Sequence, residues 1–557
     1  MTKIENIDLC LAISAGWCIV ESMKLNAATL PDSPAELKGI VDDLHQENIS
    51  LRARHDKETG ILLEQISLLR AQLYGRKSEK TIPAGGPKPL PLFDMPEPAG
   101  SDEDDDDKST IHVPAHDRKK RGRKPLPEDL PRVTFTHDID DADKVCACGS
   151  DKNRIGEERS EKLDIIPARA QVIVHIRPKY ACRNCEGVQD DGATIAIAPV
   201  PAQIIPKSIA GPGLLAHIIT AKFTDHLPFY RQEKQFARMG VEVSRTSMCN
   251  WAMKAAEACQ PLLNLLQDEV LEGNFINIDE TTLQVLHEPG RSPTSKSYMW
   301  VFRRGDPKKP ILIYKYHPSR AGSVATNFLG KDFQGYVQTD GYSGYNFLDD
   351  MEDVVHIGCW AHARRKFTDV LKSLGKKPKN SSADNALKYI KKLYKLERKA
   401  SKGKWSCSEI YRMRQEKAKP ILADFKKWLS KEILLTPQKG LLGKAIAYAL
   451  NQWQRLSGYI KDGSLTIDNN MAENSIRPFV IGRKNWLFSG TPKGAEASAL
   501  LYSLIETAKV NKLEPYAYLR HIFDKLPSAA SLKDYEALLP WNLTREHMAS
   551  ARLVECG

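Results

Sequence analysis

Apolar positions in this chain change period from segment to segment, and the changes mark its elements. Leu37, Leu44 and Leu51 recur every seven residues, and Leu62, Ile66, Leu69 and Leu73 continue in alternating steps of four and three, the seam of a coiled coil. Gly39 and Gly60 interrupt it, each costing about 1 kcal/mol in a helix interior, so a broken helical hairpin or a short amphipathic helix fits the same pattern. Between Ala170 and Ile176 apolar residues alternate in strand fashion. From Pro206 to Gln260 the period lengthens: Leu214, Leu215, Ile218 and Ile219 share one helical face, and Ser244 caps a helix running through Trp251. A polar cap with Arg245 leading the helix resembles the recognition element of a helix-turn-helix; helical packing without DNA contact explains it equally well.

Short apolar runs then predict a sheet. Phe275 to Asp279, Ser297 to Arg303 and Ile311 to Tyr316 are three strands joined by turn-rich segments, Pro289-Gly290 and Gly305-Asp306-Pro307. After a polar stretch from Ser319 to Phe328 come a fourth strand, Gly335 to Asp340, and a fifth, Val354 to Gly358, which leads into a helix starting near Trp360. Three antiparallel strands, a crossover and two further strands alternating with helices is the order of an RNase H-like sheet. In that order the first and fourth strands are neighbours, about 4.8 Å apart, so Asp279 and Asp340 are close enough to share a metal ion. Glu280 rivals Asp279, because side chains alternate across a strand and only one of the two points into a common site.

A third acid must arrive from a helix. Asn469 or Asn470 caps one that carries Glu473 in its first turns and Arg477 one turn on, and Pro478 is expected to limit it to a short piece. Asp468 reads as a cap or surface acid. Arg483, Lys484 and Trp486 follow as a basic and aromatic run suited to gripping a DNA strand. Carboxylates from three elements that converge on two divalent cations about 4 Å apart are the apparatus for activating a nucleophile and holding a leaving oxygen in phosphodiester attack. The gap between Asp340 and Glu473 exceeds what the core needs. Leu387, Ile390, Leu393, Leu396, Ile410, Met413, Ile421 and Phe425 give it a helical, lysine-rich pattern, and Leu441 to Trp453 adds another helix. Its basic face suits DNA, and a purely structural insertion is equally compatible.

Composition sharpens the picture. The chain has 557 residues, 41% of them hydrophobic and 27% charged, with a formal charge of +11. Such a length calls for several domains, and the charge favours polyanionic partners, nucleic acid first. Eleven scattered cysteines and no convincing export signal indicate a reducing, cytoplasmic compartment. The apolar stretch Ile7 to Val20 is too short to span a bilayer and lacks a cleavage pattern. Between Thr81 and Pro131 a proline-rich linker carries an acidic run, Asp102 to Asp107, and a basic one, Arg118 to Pro125; the latter reads as a minor-groove arm or as a solvated charge run. Cys146 and Cys148, then Cys182 and Cys185, are two close thiolate pairs that together offer the four sulfur ligands of a structural Zn²⁺ site. The first pair is one residue tighter than usual, and unpaired thiols are the alternative.

Several strings carry a family resemblance: Asp279-Glu280-Thr281-Thr282, Gln338 to Tyr342, Cys359-Trp360-Ala361-His362-Ala363-Arg364-Arg365-Lys366-Phe367, and Asp468 through Lys484. With Leu73 to Lys80, the cysteine pairs, Arg177-Pro178-Lys179-Tyr180 and the terminal Leu538-Leu539-Pro540-Trp541-Asn542, the chain resembles the IS66-type transposases, a DDE group of bacterial insertion sequences. The resemblance implies that Asp279, Asp340 and Glu473 hold two Mg²⁺ ions (or Mn²⁺) for nicking at the element's end and for attack of the freed 3′-hydroxyl on target DNA. His362 then positions a phosphate or merely packs, and Arg364, Arg365, Lys366, Arg477, Arg483, Lys484 and Arg245 face nucleic acid. The expected partners are double-stranded DNA (terminal inverted repeats and target), further copies of the chain and accessory proteins of the same element, with no membrane; the expected location is the bacterial nucleoid.

The fold class expected is multidomain α+β: an N-terminal extension (1–34), a coiled-coil helix (35–80), a linker (81–131), a zinc-binding domain (132–200), a helical DNA-binding region (201–268), an RNase H-like mixed-sheet core in two parts (269–374 and 463–515) around a helical insertion (375–462), and a C-terminal segment (516–557). A DNA-binding regulator without catalysis and a structure-selective nuclease are the rival readings.

Overall fold

A computed structural model describes scattered residues between 33 and 59, then residues 170–181, 195–306, 309–373 and 381–544. The expectations for Ile7 to Val20, Leu37, Leu62 to Leu73, the acidic and basic runs of the linker and the four paired cysteines lie outside the described residues. The chain divides into two compact units, Ser78–Pro178 and the remainder. Residues 42–52 are helical, with Leu51 exposed.

Two short strands, β1 (Lys179–Ala181) and β2 (Ile195–Ile197), pair antiparallel. The strand expected at Ala170 to Ile176 does not form: residues 170–178 have no regular structure, and Val172, Val174 and Ile176 are more than 70% exposed. Alternation makes a strand only where one face finds a core, and here neither does.

Four helices follow: α1 (Pro212–Phe223), α2 (Phe229–Arg238), α3 (Arg245–Ala258) and α4 (Gln260–Leu271). Ser244 caps α3, its hydroxyl accepting the Ser247 N–H at 3.1 Å. The central sheet has β3 (Phe275–Gln284), β4 (Lys296–Arg304), β5 (Leu312–His317), β6 (Gly335–Gln338) and β7 (Val354–Ile357), with α5 (Ser323–Leu329) in the crossover. Its order is β5-β4-β3-β6-β7; β3–β4 and β4–β5 are antiparallel, β3–β6 and β6–β7 parallel. Gly335 opens β6 at φ +138°, where a Cβ would sit 2.4 Å from the Asn274 carbonyl oxygen; only glycine lets the strand start against β3.

Beyond β7 come α6 (Trp360–Ser373), α7 (Ser382–Lys402), α8 (Cys407–Met413), α9 (Lys419–Leu435), α10 (Leu441–Asn451) and α11 (Trp453–Ser457). All of these but α8 share a second core in which Trp360 meets Phe425 and Trp453, each at 6.0 Å between ring centroids. A π-helical turn, Arg414–Ala418, joins α8 to α9 and turns Arg414 inward. Its guanidinium pairs with Glu397 (3.0 and 2.7 Å) and donates to the carbonyls of Tyr459, Asp462 and Leu465 at 2.9, 2.6 and 2.9 Å. One buried cation thereby fixes the path of the chain as it returns to the sheet.

The last helices are α12 (Asn470–Trp486), α13 (Pro492–Val510), α14 (Pro515–Lys525) and α15 (Leu532–Ala537). Pro478 does not shorten α12, contrary to the sequence expectation. Ala472, Ile476, Phe479 and Gly482 bury one face of it, and the Tyr314 hydroxyl donates to the Ser475 carbonyl, a group in the turn that proline disturbs. The carbonyl that loses its donor is that of the exposed Asn474, and packing over the sheet outweighs the lost bond. On the edge strand β5, two hydroxyls one helical turn apart on α13 take over the ladder: the Tyr314 N–H donates to Ser503 Oγ at 2.8 Å, and the Leu312 N–H donates to Thr507 Oγ1 at 3.1 Å. Four helical residues rise about 6 Å and two strand residues about 6.8 Å, so the spacings match and these two edge N–H groups are covered.

Replacing Arg414 by Met strands Glu397 and three carbonyls in the interior. We expect a loss of about 3–5 kcal/mol in denaturant unfolding followed by tryptophan fluorescence; unchanged unfolding would deny Arg414 this role.

Candidate active site

The parallel pairing of β3 with β6 aligns Phe275 with Tyr336, Ile276 with Val337 and Asn277 with Gln338. Asp279 lies two residues beyond Asn277 and Asp340 two beyond Gln338, so Asp340 follows the end of β6 beside Asp279, which sits mid-strand opposite Val301 because β3 runs five residues past the expected end, to Gln284. Glu473 comes from the first turn of α12, where its N–H donates to the Asn469 carbonyl at 3.1 Å. All three are half-buried. Burial pushes the Asp279 carboxyl up to about 8, reinforced by the charges of Glu280, Asp340 and Glu473 and opposed by the Glu280 N–H that it accepts at 2.9 Å. Three of the acids singled out in the sequence are thus near enough to disturb one another. Asp340 Oδ1 accepts the Tyr342 N–H at 2.9 Å, which turns the chain sharply after the strand.

Glu280 is engaged differently. Its side chain is 2% exposed and pairs with Arg320 at 2.5 Å, and the Tyr345 hydroxyl donates to it. Burial raises its carboxyl, while Tyr345 and Arg320 pull it back. Arg320 also stacks 3.7 Å from the Tyr342 ring. Glu280 therefore anchors the loop that follows Asp340, and it is already provided with a cation.

Glu473 has looser partners. Its Oε1 is 3.6 Å from His362 Nδ1 and its Oε2 3.5 Å from Arg365 Nη2, within ion-pair reach but too long for hydrogen bonds. Glu473 Oε1 and His362 Nδ1 have no hydrogen-bond partner among the described residues. Among the described residues the threesome whose ligand atoms lie within 4.8 Å of one another is Cys359, His362 and Glu473, not Asp279, Asp340 and Glu473, and the sequence reading did not single that grouping out. The Cys359 sulfur accepts the Asn469 N–H at 3.2 Å, and burial pushes its thiol up to about 12, so its proton is firmly held.

The basic residues expected to meet nucleic acid fall in three places. Arg364, Arg365 and Lys366 are on α6, with Arg364 5.8 Å from the Tyr394 ring and Lys366 4.6 Å from that of Tyr448. Arg477, Arg483 and Lys484 are on α12; Arg477 and Lys484 are exposed, whereas Arg483 donates to the hydroxyls of Thr281 and Thr282 at 3.3 and 3.1 Å. Arg245 is exposed at the start of α3, its backbone N–H bound to Glu233. Asp468 behaves as a cap, accepting the Asn470 N–H at 3.2 Å and the Tyr394 hydroxyl at 2.7 Å. The sequence assigned capping to Asn469 or Asn470, but the Asn469 side chain turns inward instead.

It does so to join a buried amide group that sequence reasoning passed over. Asn277 Nδ2 donates to Gln338 Oε1 at 2.8 Å and to Asn469 Oδ1 at 3.0 Å; Asn469 Nδ2 donates to the Ile278 carbonyl at 2.9 Å. Polar residues in a strand normally signal its wet face, and only the inward turn of Asn469 reveals that these are dry.

Similar proteins corroborate the sequence resemblance. The profile described as Transposase IS66 family matches residues 207–497, more than half of the chain. Others described as the zinc-finger binding domain of transposase IS66, the IS66 C-terminal element and Transposase C of IS166 homeodomain match residues 143–186, 503–541 and 61–134. The zinc-finger match spans all four paired cysteines. Three relatives from Sinorhizobium fredii (strain NBRC 101917 / NGR234) carry the descriptions uncharacterized protein y4jD, y4qI and y4hP. The first is 32% identical over 95% of this chain and 100% of its own length, the second 34% over 78% and 80%, the third 29% over 88% and 90%. Among the described residues no helix is long and apolar enough to cross a membrane. With its sheet, its returning helix and its terminal segment all inside matched regions, the chain belongs to the IS66 transposase family.

Proposed function

We propose that this chain is a DDE transposase with an RNase H-like core, which binds the ends of its insertion sequence, cuts them and joins them to target DNA. The observation that carries the reading is the parallel register of β3 and β6, which sets Asp279 and Asp340 each two residues past the paired Asn277 and Gln338, with the Glu473 charge also felt at Asp279 and no lysine or arginine bonded to Asp279 or Asp340 among the described residues. Carboxylates left in this state favour a hard divalent cation with oxygen ligands, Mg²⁺ or Mn²⁺. The sheet order, with β3 between an antiparallel and a parallel neighbour, supports the RNase H-like assignment. Glu280, already paired with Arg320, is the weaker ligand candidate.

Bound there, two such ions supply an activated nucleophile and stabilise the leaving oxygen. The chain's own contribution is to hold the carboxylates on rigid elements, with Arg365 and His362 beside Glu473 and with Arg364, Lys366, Arg477 and Lys484 available to phosphates. Arg483, tied to Thr281 and Thr282, orients α12 against β3 and faces the same strand of DNA. Arg245 on α3 suits groove contact. Cys146, Cys148, Cys182 and Cys185 are our Zn²⁺ ligands, within the matched zinc-finger region. The domain boundaries read from the sequence, self-association through the N-terminal helix and action on the nucleoid belong to the same proposal.

Three outcomes test it. Glu473→Gln should bind a duplex bearing the element's end but cut it at least about 100-fold more slowly in a labelled-strand assay with Mg²⁺; equal cutting removes Glu473 from the chemistry, and cutting without strand joining by the unaltered protein favours a plain nuclease. Asp279 takes up a proton on folding between the ordinary carboxylate range and about pH 8, so without metal the fold loses stability as pH rises through that window. Divalent ions must displace that proton, and Mn²⁺ titrations should show binding that tightens up to about pH 8, with the slope abolished in Asp279→Asn. Finally, Cys182→Ser should lose zinc in elemental analysis; full zinc content in the variant would refute the four-sulfur site.

A further inference from the structure

We infer that Asn277, Gln338 and Asn469 form a neutral amide latch that sets the spacing of Asp279, Asp340 and Glu473, which makes them positioning residues for the reaction. The inference rests on the acidic triad proposed above and adds what holds it in register.

Each amide precedes one acid at a fixed structural interval. Asn277 and Asp279 are two apart on β3 and so share a face; Gln338 and Asp340 are two apart at the end of β6; Asn469 and Glu473 are one helical turn apart and joined by a backbone hydrogen bond at 3.1 Å. The three side chains are 0%, 0% and 1% exposed. Both hydrogens of Asn277 Nδ2 are used, one on Gln338 Oε1 at 2.8 Å and one on Asn469 Oδ1 at 3.0 Å. Gln338 Nε2 donates to the carbonyls of Gly358 and Thr466 at 3.2 and 2.9 Å, and its Oε1 also accepts the Thr466 hydroxyl at 2.7 Å. Asn469 Nδ2 donates to the Ile278 carbonyl at 2.9 Å. These carbonyl acceptors fix which end of the Gln338 and Asn469 amides is nitrogen, and their oxygens in turn orient Asn277, whose own buried Oδ1 has no hydrogen-bond partner among the described residues.

Its chemistry suits the place. Elements that carry mutually repelling carboxylates need a cross-tie close beneath them, and an ionic one would alter the field that the acids feel. Amides donate and accept without net charge, so they close β3, β6 and the entrance to α12 onto one another and leave the negative potential above them intact. The tie spans 192 residues of sequence between Asn277 and Asn469, and at the distances given the three segments cannot shift independently. Apolar residues of equal volume would fill the space but specify no register.

The full-length protein tests this. Asn277→Leu is compared with the unaltered chain for end cleavage across a Mn²⁺ series, for Mn²⁺ binding without DNA and for binding to end DNA. We expect cleavage at fixed Mn²⁺ to fall about 100-fold and half-saturating Mn²⁺ to rise roughly 10–100-fold, with DNA affinity unchanged; Asn277→Leu combined with Gln338→Met should be no worse than the poorer single variant. A folded Asn277→Leu with unaltered Mn²⁺ dependence overturns the latch. Should that variant not fold, Thr466→Val, which removes a single bond to Gln338, must still raise half-saturating Mn²⁺, and its failure to do so has the same force. Asp279→Asn separates the two ideas: if it cuts normally the triad itself is wrong, whereas an inactive Asp279→Asn beside an Asn277→Leu with normal Mn²⁺ dependence sinks the latch alone.

Discussion

Everything in the core depends on one parallel strand pairing. β3 and β6 touch over three residue pairs, yet that contact decides which two carboxylates become neighbours and toward which end of the sheet they project. A slip of one residue would turn Asp340 to the opposite face. So short a ladder does not hold its register through backbone bonds alone. Gly335 lets the strands start in close approach, Val337 anchors one face in the core, and Gln338 locks the other through its amide. Register, rather than the mere presence of acids, is what makes a site here.

Charge is handled by sorting. Among the described residues, Glu280 is given Arg320 and Tyr345, whereas Asp279 receives only a backbone N–H. The paired acid becomes a strut for the loop after Asp340, and the unpaired one keeps an elevated proton affinity. Adjacent residues of nearly the same chemistry thus acquire opposite duties from their surroundings, because a buried carboxylate either finds a cation or holds its proton. Glu473 is intermediate: Arg365 and His362 stand near it, but neither closes a hydrogen bond.

Much of this was legible in the sequence. Five apolar runs separated by turn residues produced strands within a few residues of those observed, since each run is short, bounded and β-branched or aromatic. Asp340 and Glu473 were legible because one follows a strand and the other opens a helix, where side chains leave the core, whereas Asp279 ended the apolar run but not the strand, which continues to Gln284. The helical insertion was readable from Ile390, Leu393, Met413 and Phe425, all buried as their period requires. Other features were not legible, for identifiable reasons. Pro478 reads as a stop unless the packing of Ala472, Ile476, Phe479 and Gly482 over the sheet is known. Ala170 to Ile176 has a strand's alternation but no surface to pack on. Asn277, Gln338 and Asn469 look like ordinary polar residues, because their partners are distant in sequence. The inward turn of Arg414 arises from a π-helical register that no periodicity announces.

The insertion has a temporal consequence as well. Glu473 leaves the ribosome almost two hundred residues after Asp279, and at about 5–20 residues per second the two are separated by roughly 10–40 s of synthesis. For the larger part of that interval, once Gln338 has been added, β3 and β6 are complete but the returning helix does not yet exist. Nascent chains therefore carry a half-built centre, and only a finished polypeptide, released and closed by its last helices, has all three acids together. Under the function proposed above, cutting activity is thereby withheld until synthesis is complete.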